Sequence, residues 1–174
     1  MMSDDLIING WRIYFHPCFI DQMETLIAKI ERAKAKDPKG YTSKAAWLRL
    51  VSIVQIIQDE LPQDPGHSRF RQGDTLGAAN TEWRRVKFGG QRYRLFFRYH
   101  SPTKVIAIGW VNDENTLRTY GGETDAYKVF RAMLDKKNPP TDWPTLLAAC
   151  QKERAETKAL HDRLGNLLSN AART

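Results

Sequence analysis

An α+β fold is predicted for this chain: an N-terminal strand and a two-helix hairpin packed on a small, largely antiparallel sheet, with helices at the C-terminal end. Three observations predict it. A β-rich run near the N-terminus leads into two stretches whose apolar residues recur at helical spacing. The basic and aromatic stretch "WRRVKFGGQRYRLFFRYH" (Trp83 to His100) alternates on both sides of a Gly-Gly link, as a β-hairpin does. A run that is apolar at almost every position, "KVIAIGWV", then follows, which marks a central strand.

The elements follow in order. "GWRIYFH" (Gly10–His16) reads as a strand, and Pro17 suits a first helical turn. Phe19, Met23, Leu26, Ile27 and Ile30 give a first helix to about Lys36, broken by "DPKG". Thr42 or Ser43 caps a second helix, whose stripe is Trp47, Leu50, Val51, Val54, Ile57 and Leu61. Pro62–Glu82 is a long Pro-, Gly- and polar-rich loop, of a length associated with function. After the hairpin and the central strand comes a polar exit loop, Asn112–Asp125. A short helix runs from Ala126 to Leu134, "KNPP" stops it, and Thr141 caps another helix. Residues 1–150 are read as one domain. Residues 151–174 form a charged helical tail, with Leu160, Leu164, Leu167 and Leu168 at helical spacing. Three readings of the tail stay open: a docked helix, a dimer contact, or a partly disordered segment.

Composition narrows the function. No apolar run reaches the roughly 18 residues of a membrane span, and the acidic N-terminus lacks a secretory signal pattern. Two cysteines, Cys18 and Cys150, make neither a disulfide framework nor a metal site, so reduced thiols in a cytoplasmic protein are expected. The net charge is +7, and the window from Arg69 to Lys104 carries nine basic residues against two acidic ones. The rest of the chain is therefore neutral. A local excess of this kind is the footprint of a polyanion site.

The chemistry concentrates in the hairpin. Pairing outward from a two-residue Gly89-Gly90 turn sets Lys87 opposite Arg92 and Arg85 opposite Arg94. Four cations then crowd one face, and like-charge pairs of this type destabilise a sheet by up to about 1 kcal/mol each. Arg94, Phe96, Arg98 and His100 share that face, while Tyr93, Leu95, Phe97 and Tyr99 share the other and pack on the helices. Such a face suits cleavage of RNA by its own 2′-OH, which requires alignment, offset of negative charge and two proton transfers. Trp83 and Phe96 either stack exposed bases or pack internally. Motifs for phosphate loops and serine triads are absent, and the adjacent Asp113 and Glu114 would point opposite ways on an extended segment, which argues against a Mg site.

"GWRIYFHPCF", "RVKFGGQRYRLFFRY", "KVIAIGWVNDENTLRTYG", "TDAYKVF" and "PPTDW" occur in the order seen in the YhaV toxins, and the chain to about Trp143 resembles that family. The resemblance implies a RelE-like fold, a small curved sheet flanked by N-terminal helices. It implies a type II toxin that cleaves mRNA, often on the ribosome, without a metal or other cofactor. The implied antitoxin is a PrlF-type protein with an AbrB-like domain, and operator DNA is bound only by the toxin–antitoxin complex. It places catalytic groups at Arg85, Lys87 and Arg94, with Arg118, Tyr120 and Tyr127 as candidates for a later Arg and Tyr. Arg118 and Tyr120 join the expected catalytic set; Arg92, Arg98, His100, Trp83 and Phe96 form the expected RNA-binding set. The rival readings are a ParE-like toxin that poisons a topoisomerase by protein contact, and a nucleic-acid-binding module without catalysis.

Overall fold

The computed structural model describes residues 5–173. Asn9 and Gly10, at φ of 50° and 82°, close a tight turn that the sequence reading passed over. This turn pairs β1 (Leu6–Ile8) antiparallel with β2 (Trp11–Phe15), so the N-terminal strand is a hairpin. Asn-Gly is the usual turn pair for such a link, because both positions need positive φ.

His16 caps α1 (Pro17–Lys36), its Nδ1 accepting from the Cys18 N–H at 3.1 Å. Burial lowers the imidazole pKa from 6.5 to about 4. The unfolded chain therefore takes up the proton first. Stability holds above the unfolded value and falls as the pH drops from about 6.5 toward 4. The expected loss is about 3 kcal/mol, since each tenfold difference in proton affinity between the two states is worth about 1.36 kcal/mol. Urea unfolding at the two pH values measures it. The variant His16→Asn keeps a capping oxygen that does not titrate, and should lose much less.

After α1 comes a short 3-10 turn, Tyr41–Ser43, so α2 (Ala45–Gln55) starts later than Thr42 or Ser43 would have it. Lys44 occupies its N-cap position without a side-chain bond. A π-helical turn over Ile56–Glu60 extends it. Ile53 and Ile56 join Trp47, Leu50, Ile57 and Leu61 in the core, while Val51 and Val54 are only half-buried.

The remaining strands are β3 (Arg84–Phe88), β4 (Tyr93–His100) and β5 (Val105–Val111), the last buried throughout. They complete an open five-stranded sheet in the order β1-β2-β5-β4-β3, antiparallel except where β2 meets β5. The hairpin register differs from the expected one by two residues. Lys87 faces Arg94 and Arg85 faces Phe96. The turn spans Gly89–Arg92, with positive φ at Gly89, Gly90 and Gln91. A two-residue slip keeps each side chain on its face. Arg85, Lys87 and Arg94 therefore still share one, and Arg92 leaves the ladder for the turn.

Helices cover both faces. On one, α1 and α2 bury Leu95, Phe97, Ile106 and Ile108, and α5 (Arg154–Ala172) adds Leu160 and Leu164 to the same core. Thr157 of α5 accepts from the Phe15 N–H at 3.0 Å, which ties α5 to β2. On the other face lie α3 (Ala126–Asp135) and α4 (Trp143–Gln151). Asp142, one residue after the expected Thr141, caps α4. Phe130 stacks on Phe96 at 4.3 Å, and Trp83 meets Phe130 edge-on at 5.0 Å. Gly109 makes this layer possible, since a Cβ there would lie 2.6 Å from the Trp83 ring.

Candidate active site

The second sheet face is thus core over most of its extent, which corrects the expectation that it lies open. Trp83 and Phe96 are fully buried, so of the two readings left open for them the packing one holds, and neither ring is available to a base. Arg98 is also buried, donating to the Thr141 carbonyl and lying over the Trp143 ring. His100 stacks on Trp143 and bonds Thr103. The start of α4 therefore occupies both, and neither joins the cations of the hairpin. Alternation alone could not reveal this, because the covering helices come later in the chain.

The hairpin end of the face is organised around one phenol. Tyr127, in the first turn of α3, accepts from Arg85 Nε and from Arg94 Nε, each at 3.2 Å. Arg118 lies over its ring at 4.3 Å and over the Tyr120 ring at 4.2 Å, so the guanidinium sits between two aromatics. Arg85 Nη1 also donates to the Arg69 carbonyl at 2.7 Å. Arg94 Nη1 donates to the carbonyls of Gln91 and Tyr93. These acceptors are what offsets the repulsion between the cations. Arg94 is almost wholly buried, whereas Lys87 and Arg92 are exposed, and their side chains make no hydrogen bond or ion pair among the described residues.

Two residues that the sequence reading did not single out position this group. Asp125 is the N-cap of α3 and is buried. Its carboxylate accepts from the backbone N–H groups of Thr119, Tyr120 and Tyr127 and from Arg118 Nη1 at 2.7 Å. Burial pushes its pKa up, but the Thr119 and Tyr127 N–H groups, Arg118 and the Tyr120 N–H together bring it below the ordinary carboxylate value. Asn112 stitches the exit loop to the hairpin: Oδ1 accepts from Arg94 N, and Nδ2 donates to the carbonyls of Arg92 and Thr116. An Asp just before a helical run is a legible capping signal. Asn112 carried none.

Beside the cluster is a cleft of about 770 Å³ lined by Gly90, Gln91, Arg92, Arg118, Thr119 and Tyr120. Tyr120 is 72% exposed. Glu114 pairs with Lys29 and Arg49, and these bonds, Lys29 first, hold its pKa near 2 against the effect of burial. Asp113 closes a turn onto Asn115 and Thr116. Burial pushes the Cys18 thiol up to about 11 and the Cys150 thiol to about 12, so neither is poised as a nucleophile.

The family profile described as a toxin with endonuclease activity, of a toxin-antitoxin system, matches residues 13–151, from β2 through α4. The chain belongs to the YhaV toxin family. It is 51% identical over 140 residues to the ribonuclease toxin YhaV of Escherichia coli strain K12, covering 80% of this chain and 91% of that protein. It is 51% and 50% identical to the YhaV toxins of E. coli O157:H7 and O6:H1, over the same shares of each chain. No solved structure matches it. The YhaV match contains every residue of the phenol-centred cluster and leaves out α5.

Proposed function

We propose that the protein is the toxin of a toxin–antitoxin pair, an endoribonuclease that cleaves mRNA engaged with the ribosome. What carries the reading is the convergence of three guanidinium groups on Tyr127 beside the exposed Lys87, in a chain akin to ribonuclease toxins. The guanidiniums hold the scissile phosphate and neutralise its developing charge, Arg85 and Arg118 from the cluster and Arg92 from the turn. Arg94 acts from beneath them, fixing the turn. Lys87 stabilises the transition state as a point charge. The exposed Tyr120 ring, backed by Arg118, stacks a base of the message.

The 2′-OH attacks its own phosphate, so the products carry a 5′-OH and a 2′,3′-cyclic or 3′-phosphate. The charges come from side chains, and the reaction needs no metal. The partner is an antitoxin of the PrlF type with an AbrB-like domain, which covers the cations. Operator DNA is bound only by the complex of the two. No helix among the described residues is long and apolar enough to cross a membrane, and a cytoplasmic location fits a message substrate.

Mapping mRNA ends after induction, with and without active translation, tests this. The expected result is new 5′-OH ends that depend on translation and persist in EDTA when the ribosomes are shown to stay intact. DNA breaks with intact message would refute it.

A further inference from the structure

Arg85, Arg94 and Arg118 are each held by their neighbours, whereas the hydroxyl proton of Tyr127 is not, and that atom identifies a role for Tyr127 beyond support. A phenol oxygen has two acceptor positions and one proton. The Nε–H groups of Arg85 and Arg94 occupy both acceptor positions. The proton has no acceptor among the described residues. Asp125, the only carboxylate among those residues bonded into the cluster, spends its two oxygens on three backbone N–H groups and Arg118.

The ring itself is fixed. Its backbone N–H is held by Asp125, its ring and that of Phe96 pack edge-to-face at 5.4 Å, and Arg118 covers its face. The hydroxyl thus belongs to a rigid group whose one free valence is a donor, flanked by the cations that would grip a phosphate.

We propose that Tyr127 is the catalytic residue that protonates the leaving 5′ oxygen; this rests on the ribonuclease reading of the same cluster. As the 2′ oxygen forms its bond to phosphorus, its proton passes to solvent water. The bond from phosphorus to the 5′ oxygen breaks, and that oxygen takes the phenol proton. Arg85 and Arg94 already donate to the phenol oxygen, where negative charge appears as the proton departs, so the transfer requires no reorientation. Solvent then returns a proton to the phenolate. Tyr120, whose ring is mostly exposed, lacks this pair of donors, and Arg94 serves as a positioning residue through its bond to Tyr127.

Tyr127→Phe removes the oxygen alone and keeps the ring against Phe96 and Arg118. On an all-oxygen RNA bearing the mapped cleavage site, presented with ribosomes, its turnover is expected to fall about a hundredfold, with KM little changed. On the same RNA with sulfur replacing the leaving 5′ oxygen, the leaving group needs no proton, and the variant should cleave almost as fast as wild type. Equal losses on the two substrates, or no loss on the first, would overturn the proposal. Wild-type protein that leaves the all-oxygen RNA intact would instead refute the ribonuclease reading itself. Far-UV circular dichroism and the melting temperature of the variant establish that it is folded.

Discussion

Replacing Arg85 with Ala is expected to reduce message cleavage by about a thousandfold and to abolish growth arrest on induction, the upper range for removal of one preorganised donor in an anion site. Arg85 holds the Arg69 carbonyl and the Tyr127 phenol at once and sits on β3 beside the Lys87–Arg94 pair. Its loss removes the proposed phosphate clamp and one of the two donors that fix the phenol. Stability should suffer far less, by about 1–2 kcal/mol for two hydrogen bonds at a half-buried position. Arg85→Lys restores the charge but not the fork that reaches both acceptors, so it should recover only part of the activity. Growth arrest and mRNA cleavage at wild-type level in Arg85→Ala, with the protein expressed, would remove Arg85 from the site.

Asp125→Ala is expected to cost both stability and activity. Breaking a buried ion pair by removing one partner costs about 3–5 kcal/mol, and here three backbone hydrogen bonds go with it. Arg118 loses its anchor, the Thr119–Tyr120 backbone loses its tether, and α3 loses its cap. Asp125→Asn is a milder test, since it keeps one acceptor oxygen but turns an amide toward donors. The pH dependence follows from the lowered pKa of the carboxyl. Its contribution is present above the unfolded value, near 4, and is lost as the pH falls through the folded value. In urea unfolding the gap between wild type and Asp125→Asn should therefore close on acidification below pH ~4. A gap that stays constant across that range would show that the charge of Asp125 contributes nothing.

The sequence made the cation cluster legible through parity. Residues opposite each other in a hairpin share a face, and a slip of two leaves that relation intact. Arg85, Lys87 and Arg94 therefore came out together although the turn was read as two residues instead of four. In the longer turn the Arg92 carbonyl accepts from Arg118 N and Asn112 Nδ2, tertiary bonds that no local signal announces. Helix α1 was readable from the spacing of its apolar residues, and the π-turn that extends α2 was not. The resemblance left three candidates for the later Arg and Tyr. The structure brings all of them together, Arg118 lying between the rings of Tyr120 and Tyr127. Arg98, His100, Trp83 and Phe96 were drawn to the cluster by alternation, but the later α3–α4 layer claims them.

The order of the parts along the chain has a consequence for synthesis. All five strands lie before residue 112, and with them Arg85, Lys87, Arg92 and Arg94. Tyr127, which bonds Arg85 and Arg94, and Asp125, which holds Arg118, come after them, and Phe130 and Leu134, which seat α3 on the sheet, later still. A nascent chain that has emerged only through β5 carries the cations without the phenol that aligns them. On the proposed function, the site is therefore incomplete while the strands are being made.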